Sequence, residues 1–179
     1  APSGFESPIR EMVLTELKGH YDESQIDPLG NLILLKKASN RSAETKKVMV
    51  AAHMDEIGII ATHIEKDGFV RFAAVGGVFP RNLQGGRIRF MNGTRGVIGT
   101  EESKPGEASP IDKCFIDVGA ISDKDHPIQI GDVAGFDREF AELGNKWVAK
   151  SMDDRIGVAI GIEALKKITK SPNDIYMVF

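Results

Sequence analysis

The sequence predicts an α/β fold interrupted by an inserted all-β domain, and three observations carry that expectation. Two apolar runs of buried-strand length, Leu32 to Leu35 and Val48 to Ala52, lie before residue 57 together with one amphipathic helix. From Ile57 the texture changes to short alternating segments punctuated by Lys66-Asp67-Gly68, Asn92-Gly93, Gly131-Asp132 and Gly144-Asn145, the pattern of a small β-barrel or sandwich. After Asp153-Asp154-Arg155 a helical period returns, and Ile175 to Phe179 then reads as a further buried strand. Neither flanking piece is large enough to close a core alone, so an insertion explains the order better than three successive domains. We place the α/β domain at residues 1–64 and 147–179 and the inserted β-domain at residues 65–146.

The first helix is expected to open at Ser7-Pro8, where a hydroxyl can accept an orphan amide and proline sacrifices no needed donor. Ile9, Met12, Val13 and Leu17 share one of its faces, and Gly19 marks its end. Pro28-Leu29-Gly30-Asn31 is turn chemistry, followed by the run from Leu32, a strand expected to be covered on both faces. Lys36 to Lys47 is a polar loop, and the second buried strand then delivers His53, Met54 and Asp55 at its carboxyl end, where α/β sheets bind ligands. In the β section, Gly58 to Ile64 and Phe69 to Ala73 form one expected hairpin, and Arg87 to Met91 with Thr94 to Ile98 form another. Further strands are expected at Cys114 to Val118, Val133 to Phe136 and Trp147 to Ala149. The helix after Arg155 is apolar on more than one face and is expected to be largely buried.

Composition narrows the function classes. The 179 residues carry 23 Lys plus Arg against 26 Asp plus Glu, a net charge of −3, so neither nucleic acid nor an anionic membrane is an expected partner. Cys114 is the one cysteine, which excludes an intramolecular disulfide and any site built from several thiolates, and suits a reducing compartment. No run approaches the roughly 20 apolar residues of a membrane span, and the expected setting is soluble and cytoplasmic. The sequence starts at Ala1 without methionine and stops within a strand-like run, so it is expected to be an excerpt of a longer protein.

His53 and Asp55 are separated by one residue, which on an extended strand end turns both side chains to the same side. Imidazole with a carboxylate partner suits a transition metal, and a strand-end histidine bonded to its neighbour is the bland alternative. Asp153-Asp154 reads either as helix capping or as a carboxylate able to bridge two ions. Position favours chemistry at both motifs, because one ends the strand before the insertion and the other opens the helix after it. His20, His63 and His126 have no companion ligand at useful spacing, Gly76-Gly77 and Gly85-Gly86 suit tight turns, and Cys114 sits in an apolar strand. Glu101-Glu102 would serve a glycosidase only if two carboxylates faced each other.

Ala52-His53-Met54-Asp55-Glu56-Ile57-Gly58, Gly76-Gly77, Ile116-Asp117-Val118-Gly119-Ala120 and Lys150-Ser151-Met152-Asp153-Asp154-Arg155-Ile156-Gly157 together resemble the tetrahedral aminopeptidase family of dinuclear-metal peptidases. Some members of that family are labelled glutamyl or deblocking aminopeptidase, others cellulase or endoglucanase. The resemblance includes Pro2 to Glu6 and runs the length of the chain. It implies a zinc-peptidase-like α/β sandwich whose inserted β-domain mediates dimerisation, in many relatives within a twelve-subunit tetrahedron. It implies two divalent ions, zinc or cobalt, and removal of N-terminal residues from short peptides by water attack. His53 matches a metal ligand, Asp55 the acid that orients it, and Asp153 the carboxylate bridging both ions, joined to Asp154 by a cis peptide. The family's general-base glutamate and its remaining ligands follow the strand that ends here at Phe179, so the excerpt alone is expected to bind metal weakly and hydrolyse nothing. A glycan hydrolase and a non-catalytic assembly module are the alternative functions.

Overall fold

The computed structural model describes residues 1–101 and 109–179, which divide into two compact units. One is the α/β unit, Gly4–Asp55 with Ser151–Phe179. Its helix α1 (Ser7–Glu16) leads into strands β1 (Glu23–Ile26), β2 (Leu32–Lys36) and β3 (Lys47–Ala51). Pro8 lies in the first turn of α1, as the local chemistry requires, but Glu6 is the N-cap residue and no side chain caps it. The Ser7 hydroxyl instead accepts a hydrogen bond from Arg10 Nη2 at 3.0 Å.

The closing segments of this unit are α2 (Met152–Lys167) and, after the eight described strands of the other unit, strand β12 (Asp174–Val178). The sheet runs β1-β2-β12-β3, antiparallel except for the parallel β12/β3 pair. Leu34 and Met177 are in register, and with Leu32, Phe179, Val13 and Leu17 of the α1 region and Val158 and Leu165 of α2 they form one core. Gly161 lets α2 approach β12 closely, since a Cβ there would lie 3.0 Å from Met177 Sδ.

Two burial expectations are corrected. β3 is exposed along its whole length, with Met49 71% accessible, because it is an edge strand that pairs with β12 alone among the described residues. Helix α2 buries Val158, Gly161 and Leu165 on one face and leaves Ile156 and Ile160, four residues apart, exposed.

The second unit comprises Ala1–Ser3 and Glu56–Lys150. Strands β4 (Gly58–Ile64), β5 (Val70–Val75), β6 (Arg87–Phe90), β7 (Arg95–Thr100), β8 (Cys114–Asp117) and β9 (Val133–Phe136) close into a six-stranded antiparallel barrel in the order β4-β5-β8-β7-β6-β9. The turn signals act as expected: Gly68 and Gly93 adopt φ of 89° and 92°, values open to glycine at little steric penalty. Ile59, Val70, Phe72, Ile88, Phe90, Ile98 and Ile116 fill the barrel.

The domain limits drawn from sequence shift at both ends. β4, placed with the α/β part, is the strand that closes the barrel between β5 and β9. The run 147–149, also placed there, contributes to β11 (Lys146–Val148), which pairs with β10 (Ala141–Leu143) as a separate two-stranded hairpin of the barrel unit. The two ends of its 56–150 segment are tied together, because Lys150 Nζ donates to both Glu56 carboxylate oxygens at 2.8 and 2.7 Å.

Candidate metal centre

The site is built where β3 runs out. Beyond Ala51 the chain makes one more sheet bond, Ala52 N to Val178 O at 3.0 Å, and then presents residues 53–55 above the carboxyl ends of β3 and β12. His53 and Asp55 face each other across the intervening residue, with Nδ1 2.7 Å from Asp55 Oδ1. The other ring nitrogen, Nε2, lies 3.0 Å from Asp153 Oδ1. Residues 100 positions apart thus meet, and all three belong to the α/β unit.

The two adjacent aspartates divide the readings that the sequence left open between them. Ser151 has φ of 60°, and both aspartates depart from helical angles, at (−89°, 110°) and (−117°, 36°), so regular helix begins at Arg155. The peptide bond between them is cis. Asp154 is the cap, its Oδ1 accepting from Gly157 N at 3.1 Å, three residues on. Asp153 is left to point outward, its side chain 96% exposed, with the His53 ring as its neighbour.

Burial by itself lowers the imidazole pKa, but the hydrogen bonds to Asp153 and Asp55, reinforced by both negative charges, outweigh it and hold His53 above its ordinary value. A cavity of about 190 Å³ lined by Glu6, Leu29, Asn31, His53, Asp55 and Phe179 opens beside the pair. The donor set suits a borderline divalent ion: an imidazole nitrogen, a carboxylate next to it, and a second carboxylate fixing the far ring nitrogen. Because Asp55 engages Nδ1, it stands behind the ring, and two side chains remain as direct donors. Among the described residues no group of three or more His, Cys, Asp and Glu side chains is arranged to hold an ion.

The other sequence candidates have structural settings. His126 Nε2 donates to Gly68 O at 3.0 Å while Nδ1 accepts from Ile128 N at 3.1 Å, so it staples the β4–β5 turn. His63 is exposed, and the carbonyl of His20 accepts from Lys36 Nζ. Cys114 is buried, and burial aided by the Asp112 charge pushes its thiol up, against the opposing Arg71 charge. Glu101 is held ionised by hydrogen bonds from Arg71 and Lys113 and therefore lacks the raised pKa of a general acid. Glu102 lies outside the described residues. Arg155 lies within the 150–157 motif with no role evident from the sequence; its Nε donates to Met54 O at 2.8 Å, between His53 and Asp55. Its separation of two residues from Asp153 was the available signal.

Residues 30–179 match the family described as M42 glutamyl aminopeptidase. The chain belongs to that family. A putative aminopeptidase of Acetivibrio thermocellus is 42% identical over 180 residues, covering 99% of this chain and 53% of the relative. The M42 fold is shared with an aminopeptidase of the archaeon Desulfurococcus kamchatkensis, at a TM-score of 0.92 and 41% identity over 99% of this chain and 51% of that one. It is shared also with the Pyrococcus horikoshii TET1 peptidase, described as able to assemble into a tetrahedron or a large octahedral shell, at a TM-score of 0.88 and 31% identity over 100% of this chain and 56% of that one. The chain spans about half the length of the relatives it matches.

Proposed function

We propose that the protein is a metal-dependent aminopeptidase that removes N-terminal residues from short peptides, with His53 and Asp153 as metal ligands and Asp55 as the residue that orients His53. The observation that carries the reading is the meeting of His53 Nε2 with the Asp153 carboxylate at 3.0 Å across the point where the barrel is inserted. Membership of the M42 family supports the activity and the use of divalent metal.

The chain's own residues perform definable tasks in this account. Asp55 accepts a hydrogen bond from the Nδ1–H of His53 and so fixes the tautomer in which Nε2 offers a lone pair. Asp153 contributes a solvent-open carboxylate, one oxygen of which lies beside His53 Nε2. Asp154, by capping α2 through Gly157 N, anchors the segment that carries Asp153. Zinc or cobalt bound there as a pair would supply Lewis acidity toward a scissile carbonyl and a water acidified for attack.

The protein self-associates in this reading, as a dimer to a dodecamer through the barrel unit; support for self-association comes from relatives described as a dodecamer and as assembling into a tetrahedron or a large octahedral shell. Aminoacyl-p-nitroanilide hydrolysis by a protein of the relatives' length carrying this chain tests the activity. Chelation, His53→Ala and Asp153→Ala should each abolish turnover, and a variant still active after metal stripping would overturn the assignment. A non-catalytic assembly role is the second reading, favoured by the lack of a three-ligand group among the described residues. It predicts oligomers in light scattering with no bound transition metal. Among the described residues no facing pair of carboxylates favours a glycan hydrolase, since Glu101 is engaged by Arg71 and Lys113.

A further inference from the structure

Between His53 and Asp55 the chain has left the sheet, so neither the β3 ladder nor α2 itself sets the orientation of this tripeptide. Its central residue is anchored twice. The Met54 side chain is 4% exposed within the α/β core, and the Met54 carbonyl accepts a hydrogen bond from Arg155 Nε at 2.8 Å. The bond to the Met54 carbonyl fixes the Met54–Asp55 peptide plane, and the buried Met54 side chain holds the Cα through which residue 53 is joined.

Arg155 is also the first regularly helical residue of α2, two positions after Asp153, and its backbone N–H bonds to Ser151 O at 3.2 Å. One residue therefore links the strand end bearing the imidazole to the segment bearing the carboxylate, through a rigid planar donor suited to holding a geometry. We propose that Arg155 is a positioning residue of the metal centre, which locks residues 53–55 in register with Asp153 by bonding the Met54 carbonyl. The proposal rests on the reading of His53 and Asp153 as ligands.

The test uses Arg155→Met, which retains an unbranched apolar stem and removes the donor, with two readouts. In a cobalt(II) titration of a protein of the relatives' length carrying this chain, followed by visible absorption, the apparent Kd should rise about 10–100-fold, the range typical of lost outer-shell support. In metal-free protein, amide hydrogen exchange should accelerate at residues 53–56 and stay unchanged in β2 and β12. Wild-type cobalt affinity in the variant would overturn the proposal, as would exchange accelerated evenly through the α/β unit, the signature of a merely structural role. Should Arg155→Met fail to fold, Arg155→Gln, too short to reach the same carbonyl, is held to the same outcomes. Failure of the ligand reading is distinguishable: there the wild-type protein itself gives no cobalt band that His53→Ala removes.

Discussion

Gly157→Ala sets two known effects against each other. Alanine in place of glycine inside a helix ordinarily stabilises by about 1 kcal/mol, through helix propensity and reduced freedom of the unfolded chain. Gly157 does not have a positive φ, so the backbone itself tolerates the change. The added Cβ, however, would lie 2.5 Å from Asp154 Oδ2 and 2.6 Å from its Cγ, so the capping carboxylate must leave. Loss of such a cap costs about 1 kcal/mol, and the single variant should gain nothing or be destabilised. In an Asp154→Ala background the obstacle is gone, and the same substitution should recover about 1 kcal/mol, equivalent to about 4–8 °C for a unit of this size. Both α-helices belong to the α/β unit, so far-ultraviolet circular dichroism during thermal unfolding reports on that unit. An equal increase in both backgrounds would refute the reasoning, because it would mean that Asp154 does not cap α2.

Two further predictions concern stability. Asp174 is buried, and the hydrogen bond from Ala38 N, joined by Arg41, holds its carboxylate below the usual range against the opposing effect of burial. Its stabilising contribution is therefore present above the unfolded pKa of about 3.9 and is lost as pH falls through the lower folded value; an acid series of unfolding midpoints should show this slope in wild type and not in Asp174→Asn. Gly68→Ala combines φ of 89° with a Cβ placed 2.5 Å from Ala120 O, so it should destabilise the barrel by more than about 1 kcal/mol, read from denaturant-dependent amide hydrogen exchange in β4 and β5; unchanged exchange would contradict the strain.

The order of elements was legible because periodicity changes at Ile57 and again after Asp153, and because Asn92-Gly93 and Lys66-Asp67-Gly68 demand the turns they form. The meeting of His53 with Asp153 was legible for a topological reason: an insertion returns the chain to where it left. Burial was less legible. Val48 to Val50 is as apolar as Leu32 to Leu35, yet one run lies at a sheet edge and the other between two strands, a difference set by strand order that the apolar run itself does not encode. β1, Glu-Ser-Gln-Ile and exposed throughout, carries no alternation and went unseen. The separate roles of Asp153 and Asp154 were hidden for a different reason, since capping depends on which residue first takes helical angles. Arg155 was invisible as a functional residue because its partner is a backbone carbonyl, which has no side-chain signature.

The central claim is that His53 binds metal through Nε2 while Asp55 retains the proton on Nδ1. Nitrogen NMR of the His53 imidazole during zinc titration of a protein of the relatives' length carrying this chain tests it most directly. The account predicts that the Nε2 resonance moves on metal addition, that Nδ1 stays protonated, and that Asp153→Ala removes the response. A ring whose nitrogens ignore zinc, or one that responds at Nδ1, would contradict it.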